Sequence, residues 1–556
     1  MPKGMSKLNH LNFLSYYIVG EKEDNGIREL GTLDDLRGSF CISKMENVKN
    51  SGEASEARMG NKKHINTLKL EWLPDNPEGD IDDVQTERDI LDKLQPHQNL
   101  KELSISGYQG ETFPDWLGLS RYFKMTKLTL NGCMNCGELP SLGQLPSLQH
   151  LEISKLVSLE KIGLEFFYKK SGSFQQETAF KCLETLMIED MSCWMEWHFP
   201  GEFDGFPELR VLEIRNCPLL RGDLPSHLPA LEKLTIVGCV NIACSLPRAP
   251  KLHQLYVHDY GSHVASPHNV VISRTQMAMS ALECLPHIHS PRVQRMLVQH
   301  FESEISISAD HLPASLEYLE IYWCPELTIS EQLQHKLLTE IRVVRCRSLT
   351  IPLGDLPNLK KLELFGCKNM EYVEVPHALP SLRYLSISHC NNFVSLQALG
   401  TAMPSLEDLS IYNCPKIDCF AEEWLPPSLK FLRLTECHKL ASWIASNGLQ
   451  SEGLTHLELR FCDDVKSFPR EGCLLPASLE YLQLCGFSNL DTLHCKGFYH
   501  LSFLKKLEIS FCEKLENITE KHVLASIQNI CIRRCPLRTK LKEMEHPRIQ
   551  FFTDVD

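Results

Sequence analysis

The sequence lacks a long apolar run, a phosphate-binding glycine loop and an excess of basic residues. It contains no stretch of about 18 apolar residues, the length expected of a transmembrane helix, so no such helix is predicted. It also contains no GxxxxGK motif followed by Ser or Thr, which excludes a P-loop for nucleoside triphosphates. The 57 Lys and Arg residues are outnumbered by 71 Asp and Glu residues, giving a net charge of −14. This balance argues against nucleic-acid binding as the main function.

Cysteine, by contrast, is abundant, with 23 residues. Most of these residues stand singly at one position of a repeated motif, which is typical of a reducing compartment rather than a disulfide framework. The first apolar stretch of the chain is interrupted by Asn9, His10 and Asn12, so it does not resemble a secretory signal. We therefore expect the protein in the cytoplasm, or in both the cytoplasm and the nucleus.

The C-terminal half repeats a nine-residue motif of the form LxxLxLxxC. Examples are LRYLSISHC, LEDLSIYNC and LKFLRLTEC, whose first residues Leu382, Leu406 and Leu429 are 24 and 23 residues apart. This spacing lies within the period of roughly 20 to 29 residues that leucine-rich repeats show. The alternating LxL predicts a short strand with one buried face, so we expect Leu319 and Ile321, for example, to point inward.

Strands of this kind are expected to lie side by side in one parallel sheet on the inner wall of a curved coil. Each closing Cys should fill buried space and donate a weak hydrogen bond to a nearby carbonyl. Linkers such as LPSL, LPNL and LPPSL place a proline shortly before the next motif, which disfavours a regular outer helix. The predicted fold class is an α/β solenoid, a leucine-rich-repeat horseshoe with a parallel concave sheet and a mostly irregular convex side.

About nineteen repeats can be followed from Ile65 to Ile527. One long interval contains the motif VQRMLVQHF, in which Met296 and Val298 should point inward, and an insertion with a helical turn is expected before it, around residues 261–291. Residues 1–97 should form irregular repeats with an acidic loop, and residues 98–260 should form regular repeats. An insertion with a degenerate repeat is expected at residues 261–311, regular cysteine-closed repeats at residues 312–535 and a tail at residues 536–556.

Residues 1–97 keep leucine spacing without clean motifs, and HINTLKLEW, whose first apolar residue is Ile65, is the first recognisable strand. Before it, a surface helix is expected with Ser51 as its N-cap and Gly60 at its end. After it, the acidic sequence PDNPEGDIDDVQTERDILDKLQPH runs into a short helix from about Thr86. The acidic loop is either an electrostatic docking surface or a solvated loop, and clustered charge favours the second interpretation.

Two groups of cysteine and histidine have spacings found in metal sites. Cys133 and Cys136 have the spacing of a zinc half-site or redox pair, but Cys133 is the closing residue of a repeat and no second pair follows at finger spacing. The other group lies in the expected insertion and consists of Cys284, His287, His289, His263 and His268. Histidine-rich loops are commoner than zinc sites, and no nucleophile-elbow spacing occurs. We therefore predict no catalytic, cofactor-binding or metal-binding residues and no enzyme activity.

The residues that flank the inward leucines should face the concave wall, which is the usual docking surface of a solenoid. Aromatic and arginine side chains, which protein interfaces favour as anchors, recur there on nearby coils. The candidate protein-binding residues are Tyr322, Trp323, Arg342, Arg345, Phe365, Tyr412, Arg433, Arg460, Phe461 and Phe511. The alternative is that some of these rings only pack on the neighbouring coil.

The chain resembles the leucine-rich-repeat region of plant coiled-coil nucleotide-binding leucine-rich-repeat disease-resistance proteins. The resemblance is carried by VGEKEDNGIRELGTLDDLRGSFCISKMENV, EARMGNKKHINTLKLEW, LQPHQNLKELSISGYQGETFPDWLG, LNGCMNCGELPSLGQLPSLQHLEI and the closing RRCPLRTKLKEMEHPRI. It implies a plant innate-immunity module that recognises a pathogen effector or the host protein it modifies, and that regulates a nucleotide-binding switch domain. The family binds ADP or ATP in that switch domain, which is missing from this sequence, so the chain itself should bind no cofactor.

Two other families use similar repeats. An F-box leucine-rich-repeat scaffold or substrate adaptor also has cysteine-closed repeats, but it needs an adaptor-binding helical module that residues 1–64 do not resemble. Extracellular plant receptors use an LxGxIP motif, many glycosylation sequons and a membrane span. The F-box type remains the alternative function.

Overall fold

The computed structural model describes residues 3–73, 84–168, 178–199, 205–242, 246–258, 270–273, 293–301, 305–307, 312–329, 334–346, 348–350, 356–373, 378–395, 402–419, 425–537, 539 and 549–551. Contacts within the chain divide it into two compact units, Met1–Val293 and Gln294–Asp556. The boundary falls inside the segment 261–311, which the sequence predicts to be an insertion with a degenerate repeat.

The first unit is built on a sheet in which each strand pairs in parallel with the strand of the next coil. Its strands are Tyr16–Ile18, Arg37–Ser43, His64–Glu71, Glu102–Ser106, Lys127–Asn131, His150–Ser154, Thr185–Glu189, Val211–Arg215, Lys233–Val237, Gln254–His258 and Val270–Ser273. The alternating apolar residues of these strands form one wall of the core.

The second unit has a parallel sheet of the same kind. Its strands are Arg295–Gln299, Tyr318–Tyr322, Glu340–Val344, Lys361–Phe365, Tyr384–Ser388, Asp408–Tyr412, Phe431–Thr435, His456–Arg460, Tyr481–Cys485, Lys506–Ser510, Asn529–Arg533 and Ile549–Phe551. The fold is an α/β solenoid of leucine-rich repeats, as the sequence predicts.

The inward positions of neighbouring strands lie in register. Leu409 pairs with Leu385 on one side and Leu432 on the other, and all three are fully buried. Each leucine therefore packs against its equivalents in the coils before and after it. The inward orientation predicted for Leu319 and Ile321 is confirmed, since both have 0% exposure.

A recurrent turn follows the strand in most repeats. The residue after the strand has a positive φ, as at Trp323 (55°) and Glu436 (54°). The backbone N–H of Trp323 donates to the carbonyl of Val344, the last residue of the next strand, at 2.8 Å. The turn thus adds one backbone hydrogen bond to those between neighbouring strands, and at the same point it directs the chain out of the sheet. Glycine, which adopts this conformation without strain, occupies the same position at Gly366 and Gly486.

The closing cysteines lie directly after this turn. The thiol of Cys414 is fully buried, and Sγ lies 3.5 Å from the carbonyl oxygen of Tyr412 and 3.7 Å from that of Ile387 in the preceding repeat. Cys437 makes the equivalent contacts with Thr435 and Ile411. The sequence-based expectation of a small, buried, weakly donating thiol is confirmed at these positions.

The opposite side of each unit consists of short, varied segments. Short 3₁₀ helices occur at Met5–Lys7, Glu23–Asn25, Ile27–Thr32, Met45–Asn47, Met59–Asn61, Asp115–Gly118, Leu142–Gln144, Leu164–Phe166, Cys495–Phe498 and Lys521–Ser526. Small outer strands occur at Lys161–Ile162, Glu196–Trp197, Ile305–Ile307, Glu326–Ile329, Ser348–Thr350, Ser467–Phe468, Thr492–His494 and Asn517–Thr519. Among the described residues of the second unit, His438–Asn447 is a longer helix because no proline interrupts it, and Gly448 caps it through its N–H to Ile444.

Three details of residues 1–97 differ from the sequence prediction. Two strands, Tyr16–Ile18 and Arg37–Ser43, precede the strand that begins at His64, although neither carries the LxxLxL motif. The first helix spans Ser51–Glu56, and its N-cap is Asn50 rather than Ser51, since the Asn50 side chain accepts from the N–H of Glu53. The helix ends at Glu56, before Gly60, which is its predicted end.

The second helix, Val84–Lys93, begins two residues before the predicted Thr86. A strand, Val270–Ser273, lies inside the expected insertion and pairs with Gln254–His258, so part of that segment continues the sheet. The predicted helical turn and the histidine-cysteine group of the insertion lie outside the described residues. Met296 and Val298 are fully buried, as predicted.

Candidate protein-binding face

The solvent face of the second sheet carries the ten predicted binding residues. Tyr322, Arg342, Phe365, Tyr412, Arg433 and Arg460 lie on strands, as expected. Trp323, Arg345, Phe461 and Phe511 lie one residue beyond their strands, in the left-handed turn. The sequence motif does not reveal that the strand ends before these four residues.

Tyr322, Trp323 and Arg345 form one cluster together with His300, which is not among the ten predicted residues. The ring of His300 lies 6.0 Å from that of Tyr322 and 5.8 Å from that of Trp323. The guanidinium carbon of Arg345 lies 5.3 Å from the Trp323 ring. Trp323 nevertheless remains 45% exposed, so much of its surface is free for a partner.

Phe365 and Tyr412 belong to a second cluster, which is joined by His389. The His389 ring lies 4.8 Å from the Phe365 ring and 4.9 Å from the Tyr412 ring. Its left-handed backbone (φ 55°) brings the imidazole between strands that are two coils apart. Tyr412 is 39% exposed, whereas Phe365 and His389 are half-buried. We call these two clusters together the aromatic row: His300, Tyr322, Trp323, Phe365, His389 and Tyr412.

The arginines on the strands are engaged within the sheet. Arg342 lies between Glu320 and Glu363, with N···O distances of 3.3 and 3.5 Å. Its charge is therefore matched by carboxylates of its own sheet.

A second ion-pair network links three further strands. Arg433 Nη1 lies 2.7 Å from Oδ1 of Asp408, and its Nε lies 3.5 Å from Glu458. Burial opposes the charge of Arg433, but these two carboxylates raise the pKa of its guanidinium above the ordinary value. Arg460 donates to Glu458 at 2.9 Å and to the side-chain oxygen of Gln483 at 2.8 Å. Arg433 and Arg460 thus share one carboxylate.

Phe461 and Phe511 follow strands further along the same sheet. The Phe461 ring covers Gly486, where a Cβ atom would approach its Cδ1 to 2.3 Å, so the glycine is required for this packing. The guanidinium carbon of Arg534 lies 5.2 Å from the Phe511 ring. Both phenylalanines keep nearly half of their surface exposed, at 47% and 45%. Each combines packing on a neighbouring coil with a free outer face.

A further stack that was not predicted runs along the first residues of three strands. The His456 ring lies 4.5 Å from that of Phe431 and 5.6 Å from that of Tyr481. Burial between the two rings lowers the pKa of His456. Aligning the repeats by strand position, rather than searching for single anchors, would have found both this stack and the two histidines of the aromatic row.

The first unit's sheet carries a compact charge cluster. Glu213 is almost buried, and its carboxylate accepts from Lys233 at 2.5 Å and from Arg215 at 3.0 Å. Burial acts to raise the pKa of this carboxyl, but the two cations outweigh it and leave the pKa below its ordinary value.

Cys133 and Cys136, whose spacing suggests a zinc half-site or redox pair, are fully buried. Cys136 Sγ lies 2.9 Å from the carbonyl oxygen of Gly110, and Cys133 contacts that of Ile105 at 4.0 Å. These thiols bond to the backbone of the preceding coil. In the described part of the chain, no group of three or more Cys, His, Asp or Glu residues is arranged to hold a metal ion. No helix among the described residues is long and apolar enough to cross a bilayer.

Comparison with known proteins places the chain among similar repeat proteins. Residues 27–156 match the family described as R13L1/DRL21 LRRs. An Arabidopsis thaliana protein named as a disease resistance protein is 38% identical over 234 residues, which are 41% of this chain and 16% of that protein. The chain is a leucine-rich-repeat protein related to plant disease resistance proteins.

Two further plant proteins are similar to this leucine-rich-repeat protein. An RPP13-like protein of Arabidopsis thaliana, also named as a disease resistance protein, is 30% identical over 61% of this chain and 32% of its own length. Disease resistance protein RGA2 of Solanum bulbocastanum is 31% identical over 43% of this chain and 24% of its own length. The chain thus spans a third or less of the length of these relatives.

Proposed function

We propose that this leucine-rich-repeat protein is the recognition module of a plant immune receptor, which binds a pathogen effector or the host protein that the effector modifies. The observation that carries the proposal is the aromatic row, which presents Trp323 and Tyr412 to solvent on coils that lie four apart in the same sheet. Large exposed aromatic side chains fixed by their neighbours are typical central anchors of protein interfaces.

The arginines contribute to this proposal in a different way from the aromatic residues. Arg342, Arg433 and Arg460 are already paired with side chains of the sheet. A partner that engaged them would have to break or share those pairs, so they are expected to tune specificity more than affinity. Arg345, which lies over Trp323, belongs with the aromatic anchors.

The proposal includes a regulatory role and a location. In the longer relatives of this chain, we propose that the repeats restrain a nucleotide-binding switch domain, where ADP or ATP binds, and that the repeats themselves are neither enzyme nor cofactor site. Every described cysteine is a free thiol. This supports a location in the reducing cytoplasm, with the nucleus as a second location.

The test is effector-triggered cell death in leaves that express a full-length receptor carrying these repeats together with its matching effector. Trp323→Ala and Tyr412→Ala are expected to abolish the response, since truncating a central anchor typically costs at least about 2 kcal/mol of binding energy. Lys368→Ala, an exposed change just after a closing cysteine, is the control and should leave the response intact.

Immunoblots must show equal abundance of all variants, because loss of protein would mimic loss of recognition. An intact response with both aromatic substitutions would show that the recognition surface lies elsewhere. Loss of the response on changes within residues 261–291 alone would place it in that segment.

A further inference from the structure

A basic groove lies along the edge of the first unit's sheet where its strands begin. Its volume is about 430 Å³, and the charged and aromatic residues that line it are Phe13, Arg37, Lys63, His64, Lys101 and Lys124. None of the described residues that line it is acidic. The groove is therefore positively charged, although the net charge of the whole chain is −14.

The backbone fixes these cations on successive coils. The N–H of Lys101 donates to the carbonyl of Asn66 at 2.9 Å, and the carbonyl of Lys101 accepts from Thr126 at 2.8 Å. The N–H of Arg37 donates to Asn12 at 2.8 Å, which holds the segment carrying Phe13 beside the first of these strands. Since adjacent strands lie roughly 4.8 Å apart, the cations form a strip of about 15 Å.

The charges in the groove are largely uncompensated. Arg37, Lys63 and Lys101 form no ion pair with any residue that the structure describes. Lys124 donates to the side-chain oxygen of Asn99 at 2.9 Å, a neutral partner. The adjacent Lys62 shows the contrast, because it is buried, donates to backbone carbonyls and pairs with an aspartate.

The positive field of the groove reaches a neighbouring histidine. Burial lowers the pKa of His97, and the charges of Lys124, Lys63 and His64 lower it further. This differs from the second unit, where Arg342 lies between two glutamates. The cations of the groove are thus available to an external anion.

Two exposed aromatic rings accompany the cations. Phe13, which lines the groove, is 74% exposed, and Phe123 is 49% exposed. The ammonium of Lys124 lies 5.7 Å from the centre of the Phe123 ring. A small inorganic anion would use the cations and leave both rings in water, whereas a peptide can use both.

We propose that the basic groove binds an extended acidic protein segment that carries apolar residues between its carboxylates. A strip of about 15 Å matches four or five residues of an extended chain at roughly 3.3 Å each. Its carboxylates would pair with Arg37, Lys63 and Lys101, and its apolar side chains would cover Phe13 and Phe123. The groove shares no residue with the aromatic row, so this inference does not depend on the function proposed above.

The test uses a fluorescein-labelled nine-residue peptide of alternating glutamate and leucine, titrated with the full chain and followed by fluorescence anisotropy. The triple variant Arg37→Glu, Lys63→Glu, Lys101→Glu is expected to weaken binding by about tenfold or more, because the three proposed surface pairs become repulsive. Phe13→Ala should weaken it about threefold through lost apolar contact. Lys251→Glu, an exposed lysine of the same unit outside the groove, is the matched control and should change nothing.

Circular dichroism decides whether the triple variant is folded. If it is not, Lys63→Gln and Lys101→Gln replace it, and each should weaken binding by about threefold. Unchanged affinity in folded charge variants would overturn the proposal. Inorganic polyphosphate that displaces the peptide, together with equal affinity of Phe13→Ala, would show a general polyanion site and also overturn it.

Discussion

Arg433 Nη1 lies 2.7 Å from Oδ1 of Asp408 on the neighbouring strand, while its Nε lies 3.5 Å from Glu458 on the other side. The two carboxylates are largely shielded, with side-chain exposures of 19% and 16%. The guanidinium therefore compensates two acidic groups of its own sheet. This pairing gives a stabilising role to Arg433, which the sequence also predicts to be a binding residue.

Arg433→Ala is expected to lower the free energy of unfolding by about 1 kcal/mol or somewhat more, since both carboxylates lose their shared cation. Asp408→Asn in the same background should recover part of the loss. Urea denaturation of the four proteins of this double-mutant cycle measures the coupling. The control is Arg383→Ala, because Arg383 is 68% exposed and lies 4.0 Å from its partner Glu407. Equal losses at both arginines would contradict the assignment.

The left-handed turn after each strand predicts the effect of changes at Glu436. With φ at 54°, a residue other than glycine is strained by about 1 kcal/mol, and a β-branched residue by more. Glu436→Gly should therefore raise the melting temperature of the second unit, and Glu436→Val should lower it.

Thr435→Val is the control for this pair, because Thr435 is the last strand residue and a β-branched side chain suits it. Differential scanning calorimetry measures the melting temperatures of the three variants. A stabilising valine at Glu436 would mean that the turn conformation has been wrongly assigned.

The sequence predicted the repeated strands and their inward leucines because a period of two and a period of about 23 residues are both visible in one chain. It did not predict the strands Tyr16–Ile18 and Arg37–Ser43, which join the sheet through backbone bonds that any sequence can make. The positions of Trp323 and His389 in the aromatic row depend on the left-handed turn that follows each strand. Glycine, tryptophan, histidine and glutamate all occur at the positive-φ position of that turn, so the residue type there does not predict the turn.

The outer helix His438–Asn447 is also missing from the sequence-based prediction, for a different reason. Its repeat lacks the proline found in linkers such as LPSL, and Gly448 follows it with a φ of 74°. The missing proline and the glycine at position 448 are both visible in the sequence, but the predicted irregular outer side follows the commoner proline-containing linkers. A repeat-by-repeat treatment would have predicted this helix.

The closing cysteines are expected to be chemically protected. Burial raises the pKa of Cys437 to about 11 and leaves its thiol with 0% exposure. Cys419 is exposed on the surface of an adjacent repeat. In the native protein at pH 8, iodoacetamide should modify Cys437 at least about tenfold more slowly than Cys419, because the reagent attacks accessible thiolates.

Peptide mass spectrometry after timed quenching measures both sites in one sample. In denaturant the two rates should converge, which shows that the fold and not the local sequence protects Cys437. Similar native rates at the two cysteines would contradict the structural role of the thiol.

The charge cluster around Glu213 predicts a loss of stability in acid. Although burial opposes ionisation, Lys233 and Arg215 hold the pKa of Glu213 below its ordinary value. A carboxyl group with a lowered folded-state pKa stabilises the fold above its unfolded pKa of about 4.3, and this contribution is lost as the pH falls through the folded-state pKa. Glu213→Gln should therefore destabilise the protein at pH 7 by about 2 kcal/mol, because two partly buried cations lose their acceptor.

The difference between wild type and Glu213→Gln should shrink as the pH falls below about 4.3 and nearly vanish once Glu213 is protonated in both folded and unfolded chains. Urea midpoints at pH 7, 5, 4 and 3 test this. Glu208→Gln, at an exposed position of the same repeat, is the control and should give parallel curves throughout. A Glu213→Gln difference that stays constant from pH 7 to pH 3 would show that the substitution acts through packing, and that the carboxylate charge does not stabilise this face of the sheet.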